Sequence, residues 1–266
     1  MKVGYLGPKG TFSYEACMLY INCKEVETKE YKTIPDTIIA IENGEIDEAV
    51  VPIENSLQGC VTDAIDTLIN YENIKVREEI LLEIKQNLMS NKECKLEDLN
   101  RIYSHPQALA QCRNYLEKHG LLDKIEAVES TALAAKKVAE ESFPVACICN
   151  MSCLEEYGLN LIDKSIQDND FNKTKFWVLS KEENKDTKSK MSMLFSVKDK
   201  PGALYNVLKI FNEYDLNLTK IESRPAKTVL GEYIFWIDVT IKDSNYIEAI
   251  EKINDMGIYT RILGIY

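Results

Sequence analysis

Residues 166–179 read Ile-Gln-Asp-Asn-Asp-Phe-Asn-Lys-Thr-Lys-Phe-Trp-Val-Leu, a polar loop that runs directly into an apolar strand. The loop places the hydroxyl of Thr174 beside the ammonium group of Lys175 at the start of that strand. Polar groups clustered at the end of a buried strand are where α/β proteins usually keep their ligand sites. A strand-capping threonine in an ordinary loop would have the same local sequence, because loops are polar by default. The rest of the chain decides between these two interpretations.

Strand-like and helix-like segments alternate over the first 180 residues. The predicted strands are Val3–Leu6, Glu48–Ile53, the β-rich run Lys75–Ser90, Ile125–Val128 and Val145–Cys149, and the predicted helices are Thr11–Tyr20, Ile34–Asn43, Asp63–Asn70, Gln107–Lys118 and Ala132–Glu141. Alternating strands and helices predict an α/β fold, with a largely parallel sheet covered on both faces.

A change of pattern divides the chain. Residues 181–190 contain no apolar residue, which is typical of a linker. The order beyond it is βαββαβ, with elements Met191–Val197, Ala203–Tyr214, Leu218–Ser223, Tyr233–Ile241, Tyr246–Asp255 and Tyr259–Tyr266. This order predicts a second, ferredoxin-like domain at 191–266, joined by the linker to a first domain at 1–180.

Charge and hydropathy exclude several classes of protein. The net charge of −11 argues against a nucleic-acid partner, because no basic stripe is available to neutralise phosphates. Residues 188–266 hold 11 Lys/Arg against 10 Asp/Glu, so the acidity lies entirely in the first part of the chain. No window approaches the roughly 18 apolar residues of a membrane span, and no leader-like segment opens the chain. We expect a cytoplasmic protein without a membrane partner.

The cysteines are expected to be reduced, as is normal in the cytosol. They are Cys17, Cys23, Cys60, Cys94, Cys112, Cys147, Cys149 and Cys153. The last three come closest to a metal cluster, but no paired CxxC or nearby histidine completes a site. We interpret them as small buried apolar residues and expect no metal.

Four strand-to-helix junctions carry similar chemistry, each with a Ser, Thr or Asn where a helix begins. They are Gly7–Gly10 with Thr11 and Ser13, Pro52–Ser56, Ser104–Gln107 and Glu129–Thr131. Any one of them alone could be an ordinary N-cap. If they face a shared crevice between two lobes, their unpaired N–H groups would suit a small anion, and Lys175 would add a positive charge. The predicted ligand is therefore a carboxylate held mainly by neutral donors.

Familiar catalytic motifs are missing from the sequence. It has no GxSxG elbow, Walker loop, HExxH motif or dinucleotide fingerprint, and its two histidines are His105, in a junction, and His119, after a helix end. We expect chemistry without a cofactor, or no chemistry at all.

Five ordered blocks of the chain closely resemble the prephenate dehydratase family. They are Gly-Pro-Lys-Gly-Thr-Phe-Ser (7–13), Val-Pro-Ile-Glu-Asn-Ser (51–56), Ser-His-Pro-Gln-Ala-Leu (104–109), Ser-Thr-Ala (130–132) and Asn-Lys-Thr-Lys-Phe (172–176). Gly202-Ala-Leu204 and Glu222-Ser-Arg-Pro225 resemble the ACT regulatory domain that follows in that family. The resemblance covers essentially the whole chain, and its start at residue 4 predicts the monofunctional form.

The resemblance implies a two-lobed catalytic region similar to periplasmic binding proteins, followed by an ACT domain. It implies conversion of prephenate to phenylpyruvate, with loss of carbon dioxide and water, in L-phenylalanine biosynthesis. No cofactor is implied, because aromatisation of the ring drives the loss of the hydroxyl. It also implies a homodimer or homotetramer that binds phenylalanine as an allosteric inhibitor at subunit interfaces.

The resemblance also assigns roles to residues. Thr174 is expected to donate a proton to the departing hydroxyl. Further candidate catalytic residues are Glu54, Asn55 and Gln167. Candidate substrate-binding residues are Thr11, Ser13, Ser56, Ser104, Gln107, Ser130, Thr131 and Lys175. Candidate effector-binding residues are Gly202, Ala203, Leu204, Glu222, Ser223, Arg224 and Pro225. Glu54 could equally be a structural partner between the lobes.

Two departures from the family pattern and three rival interpretations stay open at the level of sequence. Lys175 stands where the family usually has Arg, and Ala64 stands where it usually has Thr. A sensor of aromatic acids would share the architecture without turnover, although retention of Thr174 argues against it. An arogenate dehydratase would act on the aminated analogue. The second domain could also be a plain interaction domain.

Overall fold

The structure, a computed structural model, describes residues 1–22, 25–183, 189–225, 232–242 and 245–266. Cys23 and residues 184–188 of the predicted linker lie outside the described residues. The chain divides into two compact units. The first unit is Met1–Glu72 with Ile80–Val178, and the second unit is Asn73–Glu79 with Leu179–Tyr266.

Strands and helices alternate along much of the chain, as the sequence predicts. The strands are β1 (Lys2–Leu6), β2 (Glu27–Tyr31), β3 (Glu48–Asn55), β4 (Gly59–Cys60), β5 (Lys75–Glu83), β6 (Asn87–Ser90), β7 (Ile102–Ser104), β8 (Ile125–Ala127), β9 (Ala146–Cys149), β10 (Asn160–Asp163), β11 (Lys173–Ser180), β12 (Lys190–Lys198), β13 (Asn217–Pro225), β14 (Glu232–Thr240) and β15 (Thr260–Ile265). The helices are α1 (Phe12–Ile21), α2 (Ile34–Glu42), α3 (Thr62–Leu68), α4 (Pro106–Gln111), α5 (Arg113–Lys118), α6 (Thr131–Glu140), α7 (Ser152–Glu156), α8 (Ala203–Glu213) and α9 (Asn245–Asp255), with short 3-10 turns at Leu96–Asp98 and Leu122–Lys124. Strands β2, β4 and β10 and helix α7 were not predicted from the sequence.

The first lobe of the first unit is built on a sheet of order β2-β1-β3-β11-β5, with β4 paired to β3. Strands β2 and β3 both run parallel to β1. Helices α1, α2 and α3 pack on this sheet, which buries Val3, Tyr5, Val50 and Phe176. Because β1 and β3 are parallel, their carboxyl ends lie at the same edge of the sheet, where a ligand site is expected.

The second lobe is built on a sheet of order β10-β6-β9-β7-β8. Strand β6 is antiparallel to both β9 and β10, whereas β7 is parallel to β8 and β9. The α/β class is therefore confirmed, but the expected largely parallel sheet is two sheets. Both are mixed, because β4 is antiparallel to β3 in the first lobe. The helix predicted at Gln107–Lys118 is divided at Cys112, whose φ of −115° and ψ of 18° leave the helical region.

Two crossover segments connect the lobes and are hydrogen-bonded to each other. The N–H of Ile84 donates to the carbonyl of Asn172 at 2.9 Å, and the N–H of Ile166 donates to the carbonyl of Gln86 at 2.8 Å. The two-lobed region that the family resemblance implies is confirmed, and the paired crossovers are an additional observation.

The second unit has a sheet of order β13-β14-β12-β15, and its three pairs of neighbouring strands are antiparallel. Helices α8 and α9 contact each other and the sheet, and their apolar residues join the core around Phe195, Val207, Phe211 and Ile253. Order and connectivity confirm the predicted ferredoxin-like βαββαβ domain.

Residues Asn73–Glu79 pack with this second unit, which the sequence did not predict. A Cβ on Gly264 would lie 2.1 Å from the carbonyl oxygen of Val76, so only glycine allows this approach. Lys190 contacts Glu79 at 2.5 Å and the fully buried Asp238 at 3.2 Å. A buried carboxylate is tolerated when it is paired in this way.

None of the helices that the structure describes is long and apolar enough to cross a membrane. Cys147, Cys149 and Cys153 are fully buried, as predicted. Within the described ranges, no group of three or more His, Cys, Asp and Glu side chains is suited to hold a metal ion.

Candidate active site

A cavity of about 380 Å³ lies between the two lobes of the first unit. The first lobe contributes the carboxyl ends of β1 and β3 and the starts of β11 and α1, and the second lobe contributes α4 and the start of α6. The lining residues are Leu6, Phe12, Ser13, Pro52, Asn55, Gln58, Val61, Ile84, Gln86, His105, Gln107, Ala108, Gln111, Glu129, Ser130, Thr131, Asn172, Thr174 and Phe176. The volume suits a small organic acid, and most polar lining groups are neutral.

Thr174 and Asn55 are hydrogen-bonded neighbours in the cavity wall. The Asn55 side chain is 8% exposed, and its Nδ2 donates to Thr174 Oγ1 at 2.8 Å and to Asn172 Oδ1 at 2.9 Å. Its Oδ1 accepts from the backbone N–H groups of Leu57 at 3.0 Å and Gln58 at 3.1 Å, which fixes the carboxamide. Because Thr174 Oγ1 accepts from Asn55, the threonine can donate its own proton into the cavity.

Two other predicted residues of the first lobe support the chain near the cavity. Thr11 caps α1, donating from Oγ1 to the carbonyl of Leu6 at 3.0 Å and accepting from the N–H of Tyr14 at 3.2 Å. The Ser56 hydroxyl accepts from the N–H of Lys173 at 2.9 Å and donates to the carbonyl of Phe171 at 3.1 Å. The structure does not bring either hydroxyl to the cavity wall, where Ser13 lies instead.

The second lobe presents the beginning of α6 to the cavity. Ser130 caps this ten-residue helix by accepting from the N–H of Leu133 at 3.0 Å, and Thr131 follows at its first position. Gln107 also lines the cavity, from α4. Ser104 does not: its hydroxyl is fully buried and donates to the carbonyl of Ile148 at 2.6 Å, inside the sheet.

Lys175 and Glu54 form an ion pair with a 3.1 Å separation, and their side chains are 17% and 30% exposed. Lys175 follows Thr174 on β11, and Glu54 precedes Asn55 on β3. Successive strand residues point to opposite faces of a sheet, so this pair lies on the face opposite the two cavity residues. Neither Lys175 nor Glu54 lines the cavity.

The prephenate dehydratase family model matches residues 3–184, and the ACT domain model matches residues 192–246. The chain belongs to the prephenate dehydratase family. A prephenate dehydratase of Lactococcus lactis subsp. cremoris (strain MG1363) is 41% identical over 278 residues, which cover 100% of this chain and 97% of that protein. The Arabidopsis thaliana protein named arogenate dehydratase/prephenate dehydratase 2, chloroplastic, is 36% identical over 282 residues, covering 100% of this chain and 72% of that protein.

A solved structure gives the same result for the fold. The crystal structure of prephenate dehydratase in complex with L-Phe from Arthrobacter aurescens has a TM-score of 0.88 and 31% identity, covering 100% of this chain and 90% of that one. Family membership confirms the resemblance that the sequence blocks indicate.

The effector residues predicted for an ACT domain lie towards one end of the sheet in the second unit. Strand register pairs Val197 on β12 with Tyr233 on β14, and Tyr233 with Pro225 on β13. Gly202, with φ +80°, begins α8 just beyond β12. The turn at Gly202–Leu204 follows the end of β12, and Glu222–Pro225 is the end of β13. Both therefore lie at the same end of the sheet, in which β13 is an edge strand.

Several residues that line the cavity were not predicted from the sequence. They are Gln58, Gln86 and Gln111, together with His105 and Glu129, which were noted in junctions without a role. Gln167, predicted as catalytic, does not line the cavity. Its Oε1 accepts from the N–H of Gln86 at 2.9 Å, and its Nε2 donates to Asp170 at 3.0 Å. Gln167 thus holds the crossover segment behind the cavity.

The lobes of this family member also touch directly at the Gly7–Gly10 turn. The carbonyl of Gly10 accepts from Asn150 Nδ2 at 2.9 Å and from the Cys153 thiol at 3.2 Å. Tyr157 donates to the carbonyl of Lys9 at 3.0 Å. A hydrogen bond with Cys149 and burial hold the pKa of the Cys153 thiol well above its usual range, so it remains protonated and able to donate. This contact fixes the turn that precedes Thr11 and Ser13.

Asn150→Ala should lower the free energy of unfolding by about 1–3 kcal/mol, because Asn150 is 1% exposed and the change leaves a buried carbonyl with one donor fewer. Chemical denaturation monitored by circular dichroism measures the change. Asn114→Ala, at an exposed position on α5, is the matched control and should stay within about 0.5 kcal/mol of the unmodified chain. Equal stability of both variants would mean that the Gly10 contact does not stabilise the fold.

Proposed function

We propose that the chain converts prephenate to phenylpyruvate. The prephenate dianion takes up one proton and yields the phenylpyruvate monoanion, carbon dioxide and water. The electron pair of the bond to the ring carboxylate moves into the ring, the ring becomes aromatic, and the bond to the ring hydroxyl breaks. The observation that carries the proposal is the Thr174 hydroxyl, held by Asn55 at 2.8 Å in the wall of a cavity between two lobes of a prephenate dehydratase family member.

Thr174 is proposed to give its proton to the departing hydroxyl as negative charge develops on that oxygen. A threonine hydroxyl is a weak acid, so proton donation requires stabilisation of the negative charge that it leaves on Oγ1. The Asn55 N–H stabilises the charge that Thr174 Oγ1 acquires as the proton leaves, and the proton is then regained from water. Asn55 is fixed beforehand by its own contacts with Leu57 and Gln58, so it does not need to reorganise during the reaction.

The carboxylates of the substrate are proposed to bind at the helix starts that line the cavity. Ser13, Ser130 and Thr131 offer hydroxyl groups, and Gln107 offers a carboxamide. The first turn of α6 adds unpaired N–H groups and the positive end of the helix dipole. Thr11, Ser56 and Ser104 are proposed to support these groups through the backbone rather than to bind substrate.

Lys175→Met is expected to leave the KM for prephenate within about threefold, because the ammonium pairs with Glu54 on the face of the sheet away from the cavity. Initial rates over a range of prephenate concentrations measure this. Lys175→Arg retains the charge and serves as the control. A rise in KM of tenfold for Met alone would instead support the anion-binding role that the sequence predicts for Lys175.

Arogenate is the alternative substrate, since it carries the same ring hydroxyl and ring carboxylate and a relative bears both activities in its name. Purified protein incubated separately with prephenate and arogenate distinguishes the two. Formation of phenylpyruvate from prephenate supports the proposal. If phenylalanine forms from arogenate and no phenylpyruvate forms from prephenate, the chain is an arogenate dehydratase instead.

Residues 1–180 are proposed as the catalytic domain, 181–190 as the linker and 191–266 as the regulatory ACT domain. Phenylalanine is the proposed inhibitor, supported by the ACT match and by the L-Phe complex of a relative. Glu222 and Arg224, at alternate positions of β13, could pair with the ammonium and carboxylate of an amino acid.

A homodimer or homotetramer is proposed to complete the effector site. Several large apolar side chains of the second unit are exposed to solvent, among them Ile221 by 45%, Tyr205 by 66% and Tyr233 by 41%. Contact with another subunit would bury this apolar surface, which is unfavourable in water. The proposed location is the cytoplasm, where buried thiols such as Cys147 and Cys149 remain reduced.

A further inference from the structure

Gln86 lies in the crossover segment between β5 and β6 and lines the cavity, although its side chain is only 3% exposed. Its backbone N–H donates to Gln167 Oε1 at 2.9 Å, and its backbone carbonyl accepts from Ile166 at 2.8 Å. Its side-chain Nε2 donates to Gln111 Oε1 at 3.3 Å. The residue is therefore held in place by the second crossover segment and by α4.

One polar atom of Gln86 is not used by the protein. Among the described residues, no donor forms a hydrogen bond with its buried Oε1. Buried carbonyl oxygens almost always have a partner, and one that lacks it in the wall of a ligand cavity calls for a donor from the ligand. The last torsion of a glutamine side chain is soft, so Oε1 can turn towards a bound group at little cost.

The chemistry of the substrate limits which of its groups can meet this oxygen. The two carboxylates and the ketone of prephenate are acceptors only, whereas its ring hydroxyl has a proton to donate. We infer that Gln86 Oε1 accepts a hydrogen bond from the ring hydroxyl of prephenate, which makes Gln86 a substrate-binding residue. The inference rests on the proposed dehydratase function and deepens it.

The ring hydroxyl is then oriented for the reaction. Its proton points to Gln86, so a lone pair of its oxygen faces the Thr174 hydroxyl before the bond to carbon breaks, and the hydrogen bond from Thr174 forms as negative charge develops on that oxygen. When that bond breaks, the oxygen receives the Thr174 proton and leaves as water, still donating to Gln86. This orientation turns the hydroxyl towards β11 and the crossover and leaves the carboxylates to the starts of α1 and α6.

Binding constants for substrate and product test the inference, because phenylpyruvate lacks the ring hydroxyl. Calorimetric titrations use the full chain carrying Thr174→Val, in which turnover is blocked, with Gln86 or with Gln86→Met. The Met variant should raise the Kd of prephenate by roughly tenfold, the effect of one lost hydrogen bond, and change the Kd of phenylpyruvate by less than about twofold.

Each other outcome would contradict the inference. If the Kd values of prephenate and phenylpyruvate rose equally, Gln86 would have a purely structural role in the crossover. If neither Kd changed, Gln86 would not be part of the binding site. Gln86→Glu retains an acceptor and loses the donor to Gln111, so it should keep the preference for prephenate over phenylpyruvate. If Gln86→Met fails to fold, loss of that preference in Gln86→Glu overturns the inference on its own.

Arogenate provides a further arm, since it shares the hydroxyl and adds an ammonium group. Gln86→Met should raise the Kd of arogenate and the Kd of prephenate by the same factor. A rise in the Kd of arogenate alone would mean that Oε1 accepts from the ammonium group instead. Failure of the proposed function has a different signature, because the unmodified chain would then bind prephenate without forming phenylpyruvate.

Discussion

Replacing Thr174 with alanine is expected to lower kcat for prephenate by about a hundredfold or more, because the lost proton donor acts on the departing oxygen only in the transition state. The Kd for prephenate should change by less than about threefold, since the carboxylates bind elsewhere in the cavity. Steady-state rates of phenylpyruvate formation and calorimetric titration measure the two quantities. Thr174 is 8% exposed and accepts a hydrogen bond from Asn55, so the alanine variant should lose about 1–3 kcal/mol of stability, and circular dichroism checks that it is folded.

Two further variants at this position separate the hydroxyl from the volume of the side chain. Thr174→Ser keeps the hydroxyl and should retain most of the activity, whereas Thr174→Val keeps the shape and should be as impaired as alanine. If the valine variant turned over prephenate at a near-normal rate, Thr174 would have no part in the mechanism. If binding and turnover fell together in all three, its role would be structural.

Arg224→Met is expected to raise the phenylalanine concentration for half-inhibition by roughly ten- to hundredfold, the effect of losing a charge-assisted hydrogen bond to the carboxylate of the effector. The rate without phenylalanine should be unchanged, because a ligand shifts an equilibrium only through its different affinities for two states. Inhibition curves at fixed prephenate concentration measure the shift.

Lys209→Met is the control for this variant, since it removes a charge from an exposed side chain of the same unit that pairs with Glu213 at 3.7 Å. Its inhibition curve should match that of the unmodified chain. Unaltered inhibition in Arg224→Met would place the effector away from β13. If inhibition were also competitive with prephenate, the effector would bind in the catalytic cavity.

Most of the fold follows from the periodicity of the sequence, and the exceptions have physical causes. Strand β2, Glu27–Tyr31, has the sequence ETKEY and sits at the edge of its sheet, so it lacks the apolar alternation that identifies a strand. The break at Cys112 leaves no mark in the helical pattern. The grouping of Asn73–Glu79 with the second unit depends on a contact between Val76 and Gly264, which are far apart in the chain.

The candidate site was predictable to the extent that motifs mark it. Thr174 and Asn55 meet as expected at adjacent strand ends. The placement of Lys175 could have been deduced from strand alternation, because a neighbour of Thr174 on the same strand must face the other way. The Ser104 hydroxyl donates to the carbonyl of Ile148 within the sheet, a contact that the sequence pattern does not indicate. Gln86 carries no sequence signal, since its partners Gln111 and Gln167 are 25 and 81 residues away.

The most direct test of the account is a product assay on purified protein given prephenate alone. The account predicts one phenylpyruvate and one carbon dioxide for each prephenate consumed, at a rate that falls by about a hundredfold or more in Thr174→Val while prephenate still binds. Tight binding of prephenate by the unmodified chain, with no phenylpyruvate formed, would contradict it, and the protein would be a sensor of aromatic acids if arogenate were not converted either.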